Sequence, residues 1–212
     1  MNCWVNRAGW FFLWCLTLPC DAFDPMMGDP FTNPLIIEIQ GLHDSSARGD
    51  KVATDQLVTK LETLIESNPE NQLLRVYLGS AYTLKSRDAF PGPSKMRYLK
   101  DGLKTMDDAV KRDPDNICVR FVRAVNNFHL PAFINRRDNA RKDFEQLLLQ
   151  IQSQPQNLNL KTVQAIHYFA GLSYKQTKRS KEAREAWLKG IQMSSDSVLT
   201  QKMEKELERL KI

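Results

Sequence analysis

The chain has 212 residues, 42% hydrophobic and 26% charged, with a formal net charge of +5. That length can bury a sizeable core, and the composition excludes a disordered, collagen-like or disulfide-scaffold chain. Acidic and basic residues are interspersed. The densest basic run, Lys175 to Glu185, carries Glu182 and Glu185 and reads as a solvated helix face, so no nucleic-acid partner is expected.

Residues 1–22 read as a signal peptide. One cation, Arg7, precedes an apolar run from about Trp10 to Leu18, short for a bilayer span but suited to a signal-peptide core. Pro19 ends the run, and Cys20-Asp21-Ala22 offers small residues for cleavage near Ala22. An uncleaved anchor and a lipoprotein site at Cys20 are the rival readings. Export to a periplasmic or extracellular compartment follows, with membrane attachment only through an uncleaved leader. Cys3, Cys15 and Cys20 all lie in the leader. Cleavage would leave Cys118, in the apolar stretch ICVRFVRAV, as a lone buried thiol. Residues 23–34 read as an extended linker.

From residue 35 the pattern is helical. LIIEIQGLHDSS precedes DQLVTKLETLIES, where Leu57, Leu61, Leu64 and Ile65 form one stripe. The same spacing recurs in MRYLKDGLKTMDDAVKR (Leu99, Leu103, Met106, Val110) and in ARKDFEQLLLQIQS (Phe144, Leu147, Leu148, Ile151). Each of these three helices runs into a Pro-x-Asn: NPEN at Asn68, DPDN at Asp113 and QPQN at Gln154. Proline removes a helical hydrogen bond and drives the preceding residue out of the helical region, so the first helix ends there. Asn tolerates the turn and caps the helix that follows. Pro-x-Asn is thus a stop, a turn and a start. The chain closes on SDSVLTQKMEKELERLKI, with Leu199, Met203, Leu207 and Leu210 on one stripe and charge opposite, as suits a capping helix over 196–212.

The segment AIHYFAGLSYKQTKRSKEAREAWLKGIQM resembles a tetratricopeptide repeat. Ala170-Gly171 stands at the small site of the first helix and Tyr174 follows. Ala183, Trp187 and Gly190 give the second helix its small, aromatic, small pattern. A second unit is similar through Leu78-Gly79, Tyr82, Gly102, Met106, Ala109 and Pro114. A third is similar through Ala124, Ala140, Phe144 and Leu147, with Asn127 where the family prefers Tyr. The resemblance implies an all-α fold: a helix-turn-helix solenoid over 35–195 closed by the capping helix. HEAT-like repeats are the rival, because Gly79 to Ala124 and Ala124 to Gly171 are spaced like those longer units, although the extra length lies in loops.

Nothing in the pattern points to catalysis. His43, His129 and His167 stand apart, no Cys-x-x-Cys or His-Glu-x-x-His occurs, and the glycines make no phosphate loop. The chain is therefore read as a non-enzyme without cofactor or metal. The resemblance implies a binding scaffold for a protein or peptide, whose concave groove would be lined by Val76, Ser80, Phe121, Val125, Phe128, Tyr168 and Leu172, with Lys175 near one end. This lining departs from the Lys, Asn and Arg clamp with which some family members hold a terminal carboxylate. The chain's own ends could fill such a groove instead. A second candidate surface is the loop edge, SRDAFPGPSK and HLPAFINRRD, with Arg87, Phe90, His129, Phe133, Arg136 and Arg137. Insertions in a repeat array gather on one face, often the binding face. The plainer reading tucks Phe90 and Phe133 back as anchors and pairs the arginines with nearby acids. A small-molecule or lipid-binding solenoid serving transport or envelope assembly is the alternative function. The sequence leaves the oligomeric state open.

Overall fold

The computed structural model describes residues 34–153, 160–193 and 198–210. The leader, the linker up to Asn33 and the QPQN turn lie outside them. The described residues form nine α-helices, one short 3-10 turn and no strand. They fall into two compact units that part between Pro114 and Asp115.

The first unit contains α1 (Pro34–Ala47), α2 (Lys51–Ser67), α3 (Gln72–Asp88) and α4 (Pro93–Arg112). Each helix packs on the next, and α1 also reaches α3. Ile36, Ile39, Leu57, Leu61, Leu74 and Met106 are fully buried and form its core. The turn chemistry works as the sequence implies. Asn68 ends α2, where its backbone N–H reaches the carbonyls of Leu64 and Ile65. The Asn71 side chain then accepts from the Leu74 amide, at 3.0 Å, to start α3. α3 and α4 approach closely because Gly79 and Gly102 face each other. A Cβ on Gly79 would stand 2.7 Å from the Gly102 carbonyl oxygen, and one on Gly102 would stand 2.6 Å from that of Gly79. Only glycine fits at either position.

The second unit contains α5 (Ile117–His129), a 3-10 turn (Ala132–Ile134), α6 (Arg137–Ser153), α7 (Leu160–Gln176), α8 (Ser180–Met193) and α9 (Val198–Arg209). Asn116 caps α5 by accepting from the amides of Cys118 and Val119. Phe144, Leu147, Ile166, Trp187 and Met203 are fully buried. Gly171 makes room for Trp187, because an added Cβ would land on the indole ring. The indole N–H donates to the Tyr168 carbonyl at 3.0 Å, which fixes α8 against α7. α9 covers the end of this unit by burying Leu199 and Met203.

One sequence expectation changes in detail. The loops are shorter than their composition suggests, since α3 continues through Asp88 and α4 begins at Pro93, where proline suits the first helical position. Likewise α5 runs through His129 and α6 begins at Arg137. Cys118 is buried as expected, and the other three cysteines lie outside the described residues.

Candidate functional site

In the first unit the candidate groove residues are core. Val76 is fully buried, and Ser80 is buried with its Oγ 2.7 Å from His43 Nε2. The hydroxyl and imidazole have the spacing of a nucleophile and its base. Each residue is only 3% exposed, however, so no substrate reaches them and the bond fastens α1 to α3. Burial lowers the His43 pKa to about 4, so the ring is neutral near pH 7. The sequence carried half of this signal. His43 continues the apolar stripe of Ile36 and Ile39, which marks it as buried, whereas its partner depends on how α1 sits on α3.

The second unit is different. Phe121 and Val125 are buried, whereas Phe128, Tyr168 and Leu172 are half-buried. The rings of Phe128 and Tyr168 flank Phe169, at 6.1 and 5.1 Å between centroids. Phe169 in turn stacks on Phe144 at 6.3 Å. The core aromatics thus support a half-exposed aromatic face on α5 and α7, which Leu172 extends by one helical turn from Tyr168. Lys175, one turn from Gly171, is held 2.5 Å from Glu206 on α9, and Glu206 also takes Arg209 at 2.9 Å. The lysine is therefore neutralised within the chain.

The loop-edge candidates divide. Arg87 is structural: it bonds the Asp88 carboxylate at 2.7 Å and donates to the Ser46 and Ala47 carbonyls at 2.8 and 3.2 Å. These are terminal carbonyls of α1, and that of Ser46 also accepts the Gly49 N–H at 2.9 Å. His129 packs its ring on Phe128 and Phe169, at 5.0 and 6.2 Å, and burial pushes its pKa down to about 4. Phe90 and Phe133 do not tuck back; they are 89% and 69% exposed. Arg136 is half-buried and Arg137 exposed.

Sequence reasoning missed the Asp143 cluster. Arg123 grips this buried carboxylate with both ends of its guanidinium, at 2.5 and 2.9 Å, and Arg120 adds a bond at 3.2 Å. Asp143 is 2% exposed, so this ties α5 to α6 and offers nothing to a ligand. Asn127 is buried with neither amide atom hydrogen-bonded. Among the described residues no group of His, Cys, Asp and Glu could hold a metal ion, and no helix is long and apolar enough to cross a membrane. The chain matches no protein-family model, and no curated protein or solved structure is significantly similar to it.

Proposed function

We propose that this chain is a non-catalytic scaffold of tetratricopeptide-type helix pairs, exported from the cytoplasm, that binds a protein or peptide on the α5–α7 face of its second unit. One observation carries the reading. Phe128, Tyr168 and Leu172 stay half-exposed on a rigid aromatic base, although the aromatic residues around them are buried. Large, preorganised apolar side chains of this kind serve as anchors for a partner's helix or strand. The glycine contacts support the repeat reading: Gly79, Gly102 and Gly171 stand at the crossings where the family resemblance implies small residues. Export rests on the leader sequence alone.

The test is selection of binding peptides from a random displayed library against the full-length protein. Binding is then compared with Tyr168→Glu/Leu172→Glu, which keeps the buried Phe169 and the Trp187 bond to the Tyr168 backbone. Selected peptides carrying apolar anchors should bind the double variant at least about tenfold more weakly, given the 1–3 kcal/mol usual for a lost anchor. A circular dichroism spectrum unchanged from the parent shows the fold is intact. Equal affinity for both proteins, or no enrichment, would remove this face from consideration. A co-purifying apolar compound seen by native mass spectrometry would favour the small-ligand alternative.

A further inference from the structure

The sharpest unexplained feature of the first unit is the tip between α3 and α4. Phe90 is 89% exposed and Met96, in the first turn of α4, is 61% exposed. Exposure here does not come from a loose loop. The tip is only Ala89 to Gly92, with Pro91 inside it and Pro93 directly after it, and it is braced from both sides. Ser86 Oγ donates to the Lys95 carbonyl at 2.8 Å, and Lys95 Nζ returns bonds to the carbonyls of Arg87 and Ala89 at 3.1 and 3.4 Å. The backbone that carries Phe90 is thus fixed by side-chain bonds from both flanking helices.

Between Ala89 and Lys100 there are three cations, Lys95, Arg97 and Lys100, and no acid; of the two flanking acids, Asp88 is taken by Arg87 at 2.7 Å and Asp101 follows Lys100 on α4. Arg97 and Lys100 are exposed, and Lys100 lies four residues from Met96, on the same face of α4. The positive end of the α4 dipole points the same way. A protruding aromatic and a thioether, with two exposed cations on α4 and two prolines to stiffen the turn, match the outer layer of an anionic bilayer. The apolar side chains enter the acyl boundary while the cations meet phosphates and carboxylates of the headgroups. An acidic protein groove would satisfy the charges, but it would need a pocket cut to a convex tip.

We infer that the α3–α4 tip of the first unit docks peripherally on anionic lipid, through Phe90 and Met96 as wedges and Arg97 and Lys100 as headgroup contacts. The tip is separate in sequence from both the leader and the α5–α7 face.

The experiment uses the full-length protein and vesicles of phosphatidylcholine with or without phosphatidylserine. Two readouts are taken: partitioning by flotation, and the emission of Phe90→Trp minus that of the parent. The difference emission should shift to the blue only with phosphatidylserine and return in high salt. Arg97→Glu/Lys100→Glu should weaken partitioning by about tenfold or more, since each surface cation near an anionic bilayer contributes roughly fivefold. Binding with an unshifted indole means that another segment, the leader included, makes the contact, and it overturns the inference. So does partitioning indifferent to the charge reversal. Retention on a polyglutamate resin that the reversal abolishes, with an unshifted indole on vesicles, would reassign the tip to an acidic polypeptide.

Discussion

Gly41 and Gly79 are both helical glycines, yet their surroundings ask for opposite responses to alanine. Gly79 lies where α3 meets α4, and its would-be Cβ stands 2.6 Å from Met106 Cγ and 2.7 Å from the Gly102 carbonyl oxygen. The methionine can yield but the backbone oxygen cannot, so Gly79→Ala forces the helices apart. The expected loss is about 1–3 kcal/mol, the usual cost of overpacking a core. Gly41 is an exposed residue within α1, and nothing lies within 4 Å of a Cβ built there. Gly41→Ala then acts through backbone entropy and should stabilise by about 0.5–1 kcal/mol. Urea midpoints measured on the two variants decide the matter, and a shift of the same sign in both would refute the helix-crossing account. The sequence showed which glycines were special only through family resemblance. Periodicity places Gly41 and Gly79 in helices equally well, and the facing Gly102 becomes visible only when α3 lies on α4.

Capping was the most legible feature at the scale of whole helices. Pro-x-Asn announced the starts of α3 and α5, and the asparagines of both cap as their chemistry implies. The start of α2 follows the same logic without the proline: Asp50 accepts from the amides of Val52 and Ala53. Local signals of this kind can be read because donor and acceptor are two or three residues apart. The ties between helices could not be read. Arg87 to the end of α1, His43 to Ser80 and Arg123 to Asp143 each span 20 residues or more. Their partners follow from the register of packed helices, which a hydrophobic stripe leaves free to slide by a turn. Arg87 provides the test. It serves the last carbonyls of α1 while its own charge is met by Asp88, with 32% of its side chain still exposed. Arg87→Ala should therefore loosen α1 selectively, raising amide exchange there by about five- to thirtyfold, the equivalent of roughly 1–2 kcal/mol. α2 should stay protected. Exchange that rises evenly through α1, α2 and α3 would mean that Arg87 holds the whole unit, and unchanged exchange in α1 would mean that it holds nothing.

Each unit also carries buried histidine, and this fixes how the molecule as a whole meets acid. His43 sits in the first unit between Ser80 and the Tyr77 ring, with the Arg87 cation nearby. His129 and His167 sit in the second unit, the latter within the field of Lys189. Burial is the leading cause in all three, and it lowers each pKa from 6.5 to about 4. The sign follows from proton counting. Between those two values the unfolded chain binds protons that the native state refuses, so stability rises with pH across the window. The histidine contribution is complete above about pH 6.5 and is lost as the pH falls towards 4. For His43, which is 3% exposed, a shift of that size corresponds to about 3 kcal/mol. With one such residue in the first unit and two in the second, the second unit should lose amide protection more steeply on acidification. Thermal midpoints should be flat from pH 8 to about 7 and fall below 6.5. Proton NMR of the histidine rings supplies the direct check, since none of the three should titrate above about pH 5 while the chain is folded. A ring that titrates near 6.5 in the native protein is solvated and contributes no acid sensitivity of its own.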